Sequence, residues 1–213
     1  MFDLKGYGWM LWEGLATTLE VGLCALLLAI VMGLLGAWGK LARNRAARLA
    51  ANTYTTVIRG IPELLLLLIV FYGTPTLLQA LAARMGHDIR IDFNAFTAGV
   101  LTLGFIYGAF ATEVFRGAFL AVPKGQVEAA YACGMSKSLA FRRVMLPQIW
   151  RFALPGLGNV WMVLIKATAL VSVIQLDDLM RKSFIAMGVT KLPFDFFFVA
   201  AMNCIGLIPS WPG

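Results

Sequence analysis

Glu113 and Arg116 stand three residues apart inside an apolar stretch, so one helical turn puts a carboxylate and a guanidinium on the same face. Glu20 and Lys166 lie in or beside apolar stretches of their own. Such groups are costly in lipid and turn toward a protein interior or an aqueous cavity. The chemistry open to them is ion pairing or the lining of a path. The Glu113–Arg116 pair is expected to fix its helix and orient the segment after it. Lys166 is expected to pair with Glu113 or Glu20, with lining of a path as its alternative. Tyr54, Thr55 and Thr56 precede Pro62, which loosens the start of an apolar run. A broken helix start can aim its dipole at a ligand's charge, so these three are pathway candidates; a helix cap with an interfacial tyrosine is the competing reading.

No catalytic constellation accompanies these residues. Cys24, Cys133 and Cys204 are scattered, no CxxC joins them, and His87 is the single histidine, so free thiols and no metal centre are expected. The nearest approach to a phosphate loop, "GLLGAWGKL" at 33–41, spaces its glycines one residue too far apart and puts Leu41 where a magnesium-binding hydroxyl belongs. Its glycines read as small residues for helix packing. No Ser-His-Asp or HExxH pattern is present either, so the chain is not expected to be an enzyme or to hold a cofactor.

The elements that position these residues follow from composition. Of 213 residues, 60% are hydrophobic and only 14% charged, which is the composition of a membrane protein. Five all-α spans are expected within a single domain covering 1–213, at about 14–38, 64–83, 95–122, 154–176 and 194–208. The first is too long for a signal-peptide core and is read as retained, with Trp9, Trp12 and Trp38 as interfacial anchors. The net charge of +7 sits largely in two loops rather than on a nucleic-acid face. Lys40, Arg43, Arg45, Arg48 and Arg59 fall between spans one and two, and six more basic residues lie between Arg116 and Arg151. The opposite side carries six, so the basic loops face the cytoplasm and the N-terminus lies outside, in the periplasm.

The second basic segment, "VEAAYACGMSKSLAFRRVMLP" at 127–147, reads as two short helices broken near Gly134 and Met135. Ser136 is expected to cap the second of them and Pro147 to end it. Glu128-Ala129-Ala130, then Gly134, then Val144-Met145-Leu146-Pro147 resembles the EAA loop of ABC importer permeases, with Val144 where Ile is usual. The flanks "TVIRGIPELLLLLIVFYG", "YGAFATEVFRGAFLAVPKGQVEAA" and "KATALVSVIQLDDLM" resemble segments of polar amino acid permeases. Up to about Ala200 the chain is similar to the permeases of histidine/lysine/arginine/ornithine importers and their opine-importing relatives.

That resemblance implies a multi-pass permease subunit of the bacterial inner membrane, working by alternating access on polar amino acids, basic ones foremost, or on opines. It implies that Glu128, Ala129, Ala130, Gly134, Val144, Leu146 and Pro147, within a coupling loop at 124–147, meet a cytoplasmic ABC ATPase dimer that carries the ATP and magnesium. A periplasmic amino-acid-binding protein and a second permease subunit complete the implied assembly. Ala167, where relatives carry a polar or acidic residue, favours a homologous but distinct second chain. The last residues, "MNCIGLIPSWPG", depart from the family and are expected to be a truncated or frameshifted end with a short fifth span. The rivals are a membrane scaffold that recruits a cytoplasmic partner without forming a path, and an ion channel, for which no filter-like Gly-rich repeat is present.

Overall fold

The computed structural model describes residues 6–84 and 94–207. Among them every regular element is helical. We number the helices α1 (Gly8–Leu41), α2 (Arg45–Gly60), α3 (Glu63–Arg84), α4 (Ala95–Ala121), α5 (Lys124–Ala132), α6 (Lys137–Ile174), α7 (Leu179–Thr190) and α8 (Pro193–Gly206). Four of these, α1, α3, α4 and α6, are long and apolar enough to cross a membrane. The 14 residues of α8 rise only about 21 Å, less than the hydrocarbon thickness of about 30 Å. The polar hairpin around His87, Asp88, Arg90 and Asp92 lies outside the described residues, as do Ile208 and the residues after it.

Three boundaries differ from expectation. The first span extends beyond 14–38 at both ends, taking in Trp9, Trp12 and Lys40. The stretch read as a basic loop is largely helix: Ala and Arg are strong helix formers, and they build α2 as a separate amphipathic element. Pro62 separates it from α3, as expected of a residue without a backbone donor.

The third correction concerns Pro147. It does not end a helix; α6 runs unbroken from Lys137, although the fourth span was expected only from 154. A proline ring inside a helix clashes with the carbonyl four residues back. Here the turn Phe141–Met145 is widened to a π-helix immediately before Pro147, which relieves that clash without breaking the helix. The same device recurs in α3, where a π-helical turn at Ile69–Gly73 precedes Pro75.

The chain divides into two compact units. One comprises 29–60 and 106–160; its core joins Ala37 of α1, Ala111, Phe115, Ala118 and Val122 from α4 onward, and Ile149, Ala153 and Leu157 of α6. Gly33 and Gly36 let α1 approach α4 closely: a methyl group added at Gly33 would stand 2.6 Å from the Ala111 Cβ, and one at Gly36 would strike Thr112. Small residues serve this purpose in membranes, where helices gain nothing from hydrophobic exclusion. Gly36→Leu is therefore expected to part α1 from α4 and to leave no folded, monodisperse protein in detergent by size-exclusion chromatography. Gly117→Leu, with open space around it, is expected to leave the elution profile unchanged.

The other unit comprises 1–28, 61–105 and 161–213. Leu11 and Leu15 of α1 pack with Leu179 and Ala186 of α7 and with Phe196 and Ala200 of α8. Gly104 of α4 accepts Leu28 of α1, and Gly14 lies against the backbone of Leu179. The buried Thr18 hydroxyl donates to the Gly14 carbonyl at 2.9 Å and accepts from the Leu179 N–H at 3.1 Å, tying α7 to α1.

Candidate functional site: an exposed helical turn and the charges behind it

Pro123, extended at φ −63° and ψ 127°, starts α5. Its end is a double-bonded cap: the Gly134 N–H donates to the Tyr131 carbonyl at 2.9 Å and the Met135 N–H to the Ala130 carbonyl at 3.1 Å. Gly134 sits at φ +78°, the left-handed conformation this cap requires and glycine adopts freely. Ser136 follows and accepts from the Leu139 N–H at 3.4 Å, capping α6 as its sequence predicts. The break thus falls where the Gly-Met-Ser run put it.

Glu128, Ala129, Gly134 and Pro147 are exposed, Val144 and Leu146 are half-buried, and Ala130 is buried. Tyr131 and Phe141 are large side chains left open near the turn. The turn is nevertheless firmly seated. Val127 and Met145 pack on the core built from Ala118, Val122 and Ile149, and the Gln148 amide donates to Gln126 at 2.5 Å and to the Val144 carbonyl at 2.8 Å. The turn is thus packed against α4 and α6 through side chains.

Behind it lies a charged trio. Glu113 accepts from the Arg116 Nε at 2.8 Å and from the Lys40 ammonium. The expected Glu113–Arg116 pair is present, but its second cation comes from α1 rather than from Lys166. Lys40 was read as a loop residue; only 10% of its side chain is exposed, and it joins the end of α1 to α4. Residue order gives no sign of this pairing, which depends on the packing of α1 against α4.

Lys166 makes no ion pair among the described residues, and neither does Glu20, so that expected pairing is corrected. Lys166 lines a cavity of about 50 Å³ with Thr18, Thr168 and Asp178. Asp178 was not singled out from the sequence, although an aspartate three residues before Arg181 is a recognisable cap. Its carboxylate accepts from the Arg181 N–H at 2.9 Å at the start of α7 and is 2% exposed. Burial pushes its carboxyl up to about 6, against the lowering effect of the backbone hydrogen bonds.

An acid whose folded value is raised is stabilised in its protonated form, so its contribution is present at low pH and falls away as pH rises through about 6. Native protein is therefore expected to lose about 2–3 kcal/mol of stability from this group between about pH 4 and 6. Asp178→Asn, which keeps the cap acceptor, should abolish that slope and be the more stable at pH 7, read as thermal midpoints in detergent.

Of the pathway candidates, Thr55 is buried and its hydroxyl is spent on the Ala51 and Asn52 carbonyls, both at 3.1 Å. The Tyr54 hydroxyl lies against Gly108 of α4. Thr56 is exposed. Tyr54 and Thr55 are packing residues of α2 rather than parts of a broken helix start, because Gly60, Ile61 and Pro62 separate them from α3.

Four helices long and apolar enough to cross a membrane, with a charged trio among them, fit a membrane-embedded subunit. Residues 25–210 match the family of binding-protein-dependent transport system inner membrane components, and the chain belongs to that family. It is 46% identical over 93% of its length to the histidine/lysine/arginine/ornithine transport system permease protein HisQ of Escherichia coli (strain K12), covering 87% of that protein. It is also 46% identical to the nopaline transport system permease protein NocQ of Agrobacterium fabrum (strain C58), covering 92% of this chain and 83% of the relative. A crystal structure of an amino acid ABC transporter with histidines superimposes with TM-score 0.80 at 34% identity, covering 95% of this chain and 89% of that one. The protein is thus a multi-pass inner-membrane permease component and not an enzyme.

Proposed function

We propose that the chain forms one half of the translocation path of an ABC importer for polar amino acids, basic ones foremost, or for opines. The observation that carries the mechanism is the exposed turn around Gly134, capped on both sides and seated on the core of α4 and α6. Glu128, Ala129 and Gly134 are its contact surface for a cytoplasmic ATPase dimer, which holds ATP and magnesium. Ala130, Val144, Leu146 and Pro147 shape and seat it. Nucleotide-driven closure of the ATPases pushes on this turn, and Val127, Met145 and Ile149 pass the displacement to the spans. The substrate class rests on the names of the relatives, which move histidine, lysine, arginine and ornithine or nopaline. A periplasmic binding protein delivers the substrate, and a homologous, distinct permease chain supplies the other half of the path. In this reading residues 1–213 act as one transmembrane domain, with the N-terminus periplasmic and the coupling turn cytoplasmic.

The test is reconstitution in proteoliposomes with the partner ATPase, second permease and binding protein. ATP-driven uptake of labelled histidine, arginine or octopine is expected. An assembly that binds the ATPase but takes up none of them would mark the chain as a scaffold.

A further inference from the structure

Helix α2 carries more than its packing requires. Ala51 and Thr55 are buried and Tyr54 is half-buried, facing Gly39 and Gly108 of its neighbours. Arg45, Arg48, Asn52, Thr56 and Arg59 are all exposed. At ~100° per residue these five fall within an arc of about 80°, forming one stripe about 21 Å long. α2 itself carries no acidic residue, since no Asp or Glu occurs between Glu20 and Glu63. Among the described residues none of its three arginines makes an ion pair.

The depth of the Arg59 end of this stripe argues against lipid as its surroundings. Tyr54 rests on Gly108, and the Arg59 guanidinium lies 5.0 Å from the centre of the Phe110 ring, both near the midpoint of the 27-residue apolar α4. An arginine facing hydrocarbon at that level would be costly, and such residues turn to water-filled or protein surroundings. Exposed Leu49 borders the stripe, whereas exposed Val57 lies about 100° from its nearest edge and suits lipid or a packed neighbour.

We infer that Arg45, Arg48, Asn52, Thr56 and Arg59 line the inner half of the aqueous route and take the carboxylate of the substrate as it passes. This rests on the transport reading above. Amino acids and opines all carry a carboxylate, the planar anion that arginine pairs best. A stripe whose only charges are cationic also sets a preference: a substrate with additional carboxylates, of the opine type, is held more strongly than lysine.

The test uses the complete assembly in proteoliposomes, with Asn52→Cys, Thr56→Cys and, for comparison, Val57→Cys. Labelling by methanethiosulfonates is read by peptide mass spectrometry, which separates each position from the native cysteines. Positions 52 and 56 are expected to react with the anionic sulfonatoethyl reagent about tenfold faster than with the cationic trimethylammonium one, as a local positive field dictates. Position 57 should react slowly with both. Octopine should protect position 56 at lower concentration than arginine, and argininamide, lacking the carboxylate, should not protect it.

Inertness of positions 52 and 56 to both reagents would overturn the assignment, as would equal protection by argininamide. Labelling abolished by adding phosphatidylglycerol to phosphatidylcholine vesicles, without substrate, would reassign the stripe to lipid phosphates. Failed uptake with intact labelling and protection would instead count against the transport reading alone.

Discussion

Gly134→Val is expected to cut ATP-driven uptake by about tenfold or more in the reconstituted assembly, while the permease still inserts and elutes as native in detergent. Gly134 holds φ +78°, and β-branched residues are genuine outliers there. No atom lies within 4 Å of the position a Cβ would take, so the added side chain meets no clash. The penalty is purely conformational, about 1–2 kcal/mol. It is met by opening the turn, which forfeits the hydrogen bonds of Gly134 and Met135 to Tyr131 and Ala130. A change of about 1.4 kcal/mol in a docking equilibrium is tenfold. Gly134→Asn tolerates the same conformation and should keep most of the uptake. Glu128→Lys reverses an exposed charge on the same surface and should act like the valine, without altering the turn. Equal uptake in all three variants would remove the turn from the coupling route.

The second large effect concerns the charged trio. Glu113→Leu leaves the Lys40 ammonium, 10% exposed, without its anion, whereas Arg116, 40% exposed, can turn to solvent. Removing one partner of a buried pair costs about 3–5 kcal/mol, because the remaining charge is desolvated and unpaired. Replacing both by apolar groups of similar shape is often neutral. The thermal midpoint of Glu113→Leu in detergent is therefore expected to fall steeply, and Lys40→Met/Glu113→Leu to regain most of it. If the double variant is as unstable as the single one, the trio does more than join α1 to α4. If the single variant is as stable as the native chain, Lys40 is not held by Glu113.

What could be read from the residues in order was whatever depends on local chemistry. The apolar runs marked α1, α3, α4 and α6, because every backbone group must be satisfied internally in lipid and helices alone do that within one segment. The turn at Gly134 and the cap at Ser136 were legible for the same reason: a cap is made by neighbours within a few residues. So was the Glu113–Arg116 pair, one turn apart on one helix.

The rest was decided by which helix lies beside which. Lys40 and Glu113 are 73 residues apart, and only the close approach of α1 to α4 at Gly33 and Gly36 brings them together. Lys166 lines a small cavity with Thr18 of α1, which lies far from it in sequence. Pro147 passes through a helix because a widened π turn absorbs its ring, an accommodation that residue type does not encode. For α2, the residues in order read as a basic loop, with no indication that Tyr54 and Thr55 face inward while Asn52 and Arg59 face out. That choice belongs to its neighbours: Gly39 and Gly108 leave the space that draws one face of α2 against them, and the polar stripe is the face left over.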